Sequence, residues 1–212
     1  MKKTILFDLD GTLTDSCEGI INCVIYALER FGLPVPERES LRYFVGPPLH
    51  ETFIKFGVPA DRLEEAVEVY RSRYIPIGKF ENTPYAGIEE LLGRLVAEGH
   101  KLYVATSKPE KLSVEILEHF GLAKYFTLIC GASTDRSRST KEAVIAYLLE
   151  QSGDHDQILM VGDTVFDVIG AKMHGIPTLG VSWGYGEVED MLNAGAAGIA
   201  DTMDELYALL SQ

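Results

Sequence analysis

Residues 5–16 read "ILFDLDGTLTDS". Ile5, Leu6 and Phe7 run straight into Asp8 and Asp10, with Gly11 and Thr12 directly behind. In an extended strand, side chains at i and i+2 share a face, so the two carboxylates lie side by side. Like charges that close repel unless a cation sits between them or one of them holds a proton. The stretch therefore implies a buried first strand ending at a charged site that holds a cation, a proton or both.

Outward from this strand, short apolar runs alternate with amphipathic stretches. "TILFDL", "KLYVATS", "FTLICG", "ILMVGD" and "TLGVSW" are nearly continuous apolar runs, as expected of strands buried on both faces, and "AGIAD" is a weaker sixth. "PYAGIEELLGRLVAEGH" carries Ile88, Leu91, Leu92, Leu95 and Val96 on one helical stripe, with Gly99 as its stop. "KPEKLSVEILEHFGL" and "TKEAVIAYLLEQSG" read the same way. Strands alternating with helices imply an α/β fold with a parallel sheet and right-handed crossovers.

The alternation fails between about residues 15 and 80. "GIINCVIYALERFG" and "DRLEEAVEVYRSRYIPIG" are helical stripes with no good strand between them. The expected division is an α/β core of residues 1–14 and 83–212, with a helical insertion of residues 15–82. The insertion returns near "ENTPYAG", whose Asn, Pro and Gly suit a hinge. In open parallel sheets, ligands bind beyond the carboxyl ends of the strands. An insertion that leaves after the first strand is placed to act as a lid there.

The chain has 19 basic and 32 acidic residues and a net charge of −13. That excludes a nucleic acid polymer or an anionic membrane as the main partner, since both need a basic surface. An anionic ligand on such a chain needs local positive charge from Lys, Arg or a metal. Cys17, Cys23 and Cys130 have no zinc-like spacing and make an odd count, which points to free thiols in a reducing compartment. The apolar run after Lys2 and Lys3 is too short for a signal peptide, and no run is long enough to span a membrane. A cytoplasmic protein is expected.

The polar residues at the strand ends are Asp8 and Asp10, then Thr106 and Ser107, then Asp163 with Asp167 shortly after. Asp8, Asp10 and Asp163 suit Mg²⁺, which takes oxygen ligands and is commonly held by carboxylates plus substrate phosphate. A carboxylate can attack phosphorus and form an aspartyl-phosphate, provided the phosphoryl oxygens are neutralised and hydrogen-bonded. Thr106, Ser107, the backbone N–H groups around Asp10 and Gly11, and a lysine could do this. Lys141 is the best candidate, because it opens a helix where a cation opposes the macrodipole. Asp10 then serves as general acid and base. Taken singly, each residue has a plainer reading: a polar turn at Asp10–Gly11, helix caps at Thr106 and Ser107, a helix cap and a first-turn acid at Asp163 and Asp167, a solvated Lys141. Their succession at the ends of consecutive βα units argues for one site.

With these motifs the chain resembles the haloacid dehalogenase-like superfamily of phosphohydrolases. "DLDGTLTDS" matches its first motif, "YVATSK" looks like its second, Lys141 matches the third and "GDTVFD" the fourth. The resemblance implies a Rossmann-like core sheet of order 5-4-1-2-3 with an inserted α-helical cap. It makes Asp8 the nucleophile and Asp10 the acid/base, with Thr106 and Lys141 on the phosphate. Mg²⁺ is then held by Asp8, the Asp10 backbone carbonyl and Asp163, with Asp167 supporting the metal site. The implied partner is a small phosphorylated metabolite.

One departure is the lysine's setting, "RSRSTKEAV", where close relatives usually have Lys-Pro-x-Pro. It puts Arg136 and Arg138 near the site as solvated charges or substrate contacts. "RYFVGPPLHETF" resembles the phosphoglycolate phosphatase-like group and marks Arg42, Gly46 and Pro47 as cap residues of interest. "GASTDRSRSTK" resembles a 5′-nucleotidase-like bacterial group. A sugar phosphomutase uses the same four motifs and stays open. A dehalogenase has no use for Asp10 or a metal, and a receiver domain has neither Asp-x-Asp on its first strand nor an insertion.

Overall fold

The structure is a computed structural model, and it describes residues 2–46, 49–135, 137–153 and 157–212. The chain divides into two compact units, one of Met1–Thr14 with Pro84–Gln212 and one of Asp15–Thr83.

The strands in chain order are β1 (Thr4–Phe7), β2 (Thr14–Asp15), β3 (Thr83–Pro84), β4 (Lys101–Pro109), β5 (Leu128–Ala132), β6 (Ile158–Gly162), β7 (Thr178–Val181) and β8 (Gly198–Ala200). β2 and β3 pair with each other where the chain passes from one unit to the other. The remaining strands form one parallel sheet of order β5-β4-β1-β6-β7-β8. Counted as core strands, that is 6-5-4-1-2-3, so the weak candidate "AGIAD" adds a sixth strand to the edge of the expected order. β1 is central because every residue of it is buried. Ile5 and Phe7 join Leu102, Val104 and Val161 in the core on one face, and Leu6 joins Tyr103, Ala105 and Met160 on the other. Alternation along a strand thus fills two cores at once.

In the helical unit lie α1 (Cys17–Arg30), α2 (Arg38–Leu41), α3 (Leu49–Lys55) and α4 (Leu63–Tyr74). Its own core is aromatic. Phe44 meets Phe53 edge-on at 5.2 Å between centroids, Phe53 meets Tyr70 at 6.5 Å, and Tyr70 stacks on Tyr74 at 5.3 Å. Such pairs add about 0.5–1.5 kcal/mol each beyond their area burial. Arg73 forks onto both Glu81 oxygens at 2.7 and 2.9 Å, which holds the Glu81 carboxyl below the usual range. Cys17, Cys23 and Cys130 are free and buried.

The helices of the α/β unit are α5 (Ile88–Ala97), α6 (Glu110–His119), α7 (Lys141–Ser152), α8 (Val165–Lys172), α9 (Val188–Ala194) and α10 (Met203–Leu210). Ile88, Leu91, Leu92 and Leu95 of α5 enter the core, but Val96 is 43% exposed and is not part of the buried stripe. Gly99 ends that helix with a φ of +87°, a conformation that favours glycine. Among the described residues, no helix is long and apolar enough to cross a membrane.

Candidate active site

Three strand ends come level because β1 lies between β4 and β6 in parallel register. Phe7 pairs with Val104 on one side and Val161 on the other. Asp8 follows Phe7 and carries on the ladder, its N–H donating to the Val161 carbonyl at 2.9 Å. Thr106 and Asp163 each stand two residues past those partners. Asp8, Thr106 and Asp163 therefore share one edge of the sheet by register alone.

Lys141 opens α7, behind an N-cap in which Thr140 Oγ1 accepts from the Ala143 N–H at 3.2 Å. Its ammonium lies 2.8 Å from Asp8 Oδ1 and 2.7 Å from Asp167 Oδ1, and donates to the Ala105 carbonyl at 2.9 Å. Lys141 is only 5% exposed. Burial opposes its charge, but Asp167 and Asp8 outweigh burial and raise its pKa above the ordinary lysine value. Asp8 moves the same way for the opposite reason. Burial pushes its carboxyl up to about 6, Lys141 draws it back, Asp167 adds to the rise, and the Thr106 hydroxyl lowers it by hydrogen bonding.

Asp163 is fully buried. Its Oδ1 accepts from Thr12 Oγ1 at 3.0 Å and its Oδ2 from the Tyr185 N–H at 2.9 Å. Burial holds its carboxyl well above the usual carboxylate range, with Asp167 and Asp8 adding to the shift. Asp167 is fully buried too. Its Oδ2 accepts from the Thr164 N–H and hydroxyl at 3.0 and 2.9 Å, a capping box at the start of α8. The plainer reading of Asp167 as a helix-start acid is thus correct, and it coexists with the ion pair to Lys141. For Thr106 the plainer reading fails, since α6 starts at Glu110 with Pro109 as its cap.

Oxygen atoms of Asp8, Asp163 and Asp167 lie within 4.8 Å of one another. With Asp10 the site holds four carboxylates against Lys141 and Lys108, which leaves two formal negative charges. An all-oxygen, doubly negative, buried cluster is the donor set of a hard divalent cation. This buried acidic triad could bind a metal.

Glycines let the backbone close on this cluster. Gly11 has a φ of +83°, and a Cβ there would stand 2.1 Å from Asp163 Oδ2. Its N–H donates to the Thr14 carbonyl at 2.8 Å, so its part in the site is close approach rather than an open amide. Gly184 lies in the loop after β7, and a Cβ on it would meet Asp163 Cβ at 2.2 Å. We expect Gly184→Ala to displace Asp163 and cut turnover about 100-fold, since a misplacement of about 1 Å costs that much. Unchanged kcat in that variant, measured beside wild type, contradicts this role.

Ser107 is exposed within β4. Arg138 is held by β5, α6 and α7: Nε donates to the Gly131 carbonyl at 2.8 Å, Nη2 to Glu110 at 2.7 Å, and the guanidinium stacks 3.6 Å over the Tyr147 ring. In the helical unit, Arg42 is half-exposed and sits 3.7 Å from Glu39, while Gly46 has a φ of +104° and faces open space. Arg136 and Pro47 lie outside the described residues.

The sequence reading overlooked Lys108, whose ammonium contacts both oxygens of Asp10 at 3.0 and 2.7 Å. One signal was available: it stands two residues past Thr106, as Asp10 does past Asp8. Tyr185 acts through its backbone N–H, which leaves no mark in residue type.

The sequence profile of the haloacid dehalogenase-like hydrolase family matches residues 5–181. A 5′-nucleotidase of Pseudomonas aeruginosa is 45% identical over 192 residues, covering 90% of this chain and 86% of that protein. A Mycobacterium tuberculosis protein named tyrosine-protein kinase PtkA is 44% identical over 211 residues, covering 98% of this chain and 72% of that one. A phosphoglycolate phosphatase of Vibrio parahaemolyticus is 28% identical over 219 residues, covering 99% and 96%. Among solved structures, a predicted phosphatase from Clostridium acetobutylicum superposes with a TM-score of 0.92 at 45% identity, covering 100% of this chain and 99% of that one.

Proposed function

The chain belongs to the haloacid dehalogenase-like hydrolases and is an enzyme of their phosphatase type, and from that premise we propose that it is a Mg²⁺-dependent phosphomonoester hydrolase acting on a small phosphorylated metabolite through a phosphorylated Asp8. The observation that carries this is the Asp8 carboxylate at a sheet edge, held by Lys141 and hydrogen-bonded to Thr106, with Asp10 two residues on.

Asp8 attacks phosphorus, and the bond to the leaving oxygen breaks. Lys141 and Thr106 face the phosphoryl oxygens, and Lys141 keeps Asp8 in its charged, nucleophilic form. Asp10 delivers a proton to the leaving oxygen, then takes one from the water that hydrolyses the acyl phosphate. Asp8, the Asp10 carbonyl and Asp163 would hold Mg²⁺, and Asp167, with both oxygens engaged by Lys141 and Thr164, supports them. The ion, when bound, supplies charge neutralisation for the phosphate. We read the Asp15–Thr83 unit as the family's cap, with Arg42 and Gly46 as its candidate substrate residues.

A nucleoside 5′-monophosphate is the substrate class favoured by the relative at 45% identity, and phosphoglycolate is the second reading, favoured by the cap motif. The test is phosphate release from nucleoside monophosphates, phosphoglycolate and sugar phosphates with Mg²⁺, before and after excess chelator. We expect release that chelator stops and added Mg²⁺ restores. Release that persists in chelator removes the metal, and release from no compound removes the hydrolase reading. ATP with a tyrosine-containing peptide belongs in the same panel, because one relative carries a kinase name.

A further inference from the structure

We propose that Lys108 is a positioning residue for the reaction, one that fixes the Asp10 carboxylate and acts on turnover only through it. The proposal rests on the reading of Asp10 as the acid/base.

β4 pairs regularly with β5 as far as Ala105↔Cys130, then slips, and the next pair is Pro109↔Ala132. Four steps on β4 thus face two on β5, so the segment Thr106–Ser107–Lys108 is bulged. A bulge re-aims the side chains it carries. Here the Thr106 hydroxyl accepts the Lys108 N–H at 3.3 Å, and Pro109 holds the far side with its fixed φ. The bulge turns Lys108 back onto the loop after β1. Its side chain is 7% exposed, less than the 23% of the carboxylate it grips. Lysine is almost never this buried unless paired.

The pairing is specific. Lys108 Nζ reaches Asp10 Oδ1 at 3.0 Å and Oδ2 at 2.7 Å, so it restrains the rotation of the carboxylate as well as its place. Among the described residues, it is the only side chain bonded to that carboxylate. Asp10 has to face the leaving oxygen in one step and the water in the next, and a small misplacement is expensive in both. Lys141 already serves Asp8 and Asp167. The two lysines thus hold three of the four carboxylates, Lys141 on the nucleophile's side and Lys108 on the acid/base's side.

The test is a double-mutant cycle on kcat, with KM read alongside. Lys108→Met should lower kcat by about 30- to 100-fold, no more than the low end of what a general acid–base group itself supplies, with KM within about threefold. In an Asp10→Asn background, followed in single turnover, the same change should cost less than about threefold. With p-nitrophenyl phosphate, whose leaving group needs no proton, Lys108→Met should still give a burst of about one p-nitrophenolate per enzyme and then turn over slowly. Lys108→Gln keeps most of the stem and serves if the Met variant does not fold. Equal losses in both backgrounds, or a raised KM with unchanged kcat, would mean that Lys108 touches the substrate. A lowered thermal midpoint with unchanged kcat would mean that it is structural. Any of these overturns the proposal. Normal turnover by Asp10→Asn alone is a separate outcome, which removes the acid/base reading itself.

Discussion

Asp8→Asn should abolish turnover, by at least about four orders of magnitude, as expected when the nucleophile of a covalent mechanism is removed. Asn keeps the shape of the side chain and its place past β1, so phosphate release falls while the fold stays. The fold should become more stable in the absence of metal, because the folded Asp8 pKa, about 6, lies above its ordinary 3.8. A group raised in this way contributes stability that is complete below about pH 4 and lost as pH rises through 6. At pH 7.5 the metal-free wild type therefore carries the full cost of the buried charge, and Asn carries none. The paired measurements are phosphate release and the thermal midpoint in chelator. Normal release by the variant removes the phospho-Asp8 mechanism. A lowered midpoint shows that Lys141 stabilises Asp8 more than burial destabilises it.

Lys141→Met has the second large effect, and it falls on both activity and stability. Lys141 is the cation between Asp8 and Asp167. Removing one partner from a buried ion pair costs about 3–5 kcal/mol, because the charge left behind is uncompensated. Turnover should fall about 100- to 1,000-fold from loss of charge stabilisation at the phosphoryl group. The stability deficit should depend on pH in a set direction. Without Lys141 the Asp8 carboxyl titrates higher still, so at pH 5 it holds a proton and the repulsion is relieved. The gap between the thermal midpoints of variant and wild type should then be wide at pH 7.5 and narrow at pH 5. A gap equal at both values shows that the deficit is one of packing, not of charge.

The same residues show what could be read from the chain. Asp8 and Asp10 were legible because like charges at i and i+2 after an apolar run are a local conflict that folding has to resolve. Lys141 was legible because a cation at a helix start is unfavourable unless anions meet it, and Asp8 and Asp167 do. Lys108 ends the "YVATSK" run without standing out there, since its role depends on a two-residue slip between β4 and β5 that no periodicity records. Thr12 and the Tyr185 N–H were hidden because each meets Asp163 across more than twenty residues of chain. The short helices α2 and α3 are too brief to show a stripe, and α3 is held through Phe53, which meets Phe44 and Tyr70.

The order of apolar runs and stripes was sufficient for the α/β class and for the helical character of residues from about 15 to 80, because hydrophobic period follows directly from local geometry. Asp8, Asp10 and Lys141 could be named because each breaks a local rule within its own segment, and Asp163 and Asp167 because they follow closely on an apolar strand run. Which of them touch, and through which oxygen, was settled by the parallel register of β1 with β4 and β6, a relation between segments nearly 100 residues or more apart. The choice of Lys108 for Asp10, the commitment of both Asp167 oxygens and the enclosure of Asp163 by Gly11 and Gly184 are all long-range matters of the same kind. They depend on distances across the sheet edge, and those exist only once the strands have packed.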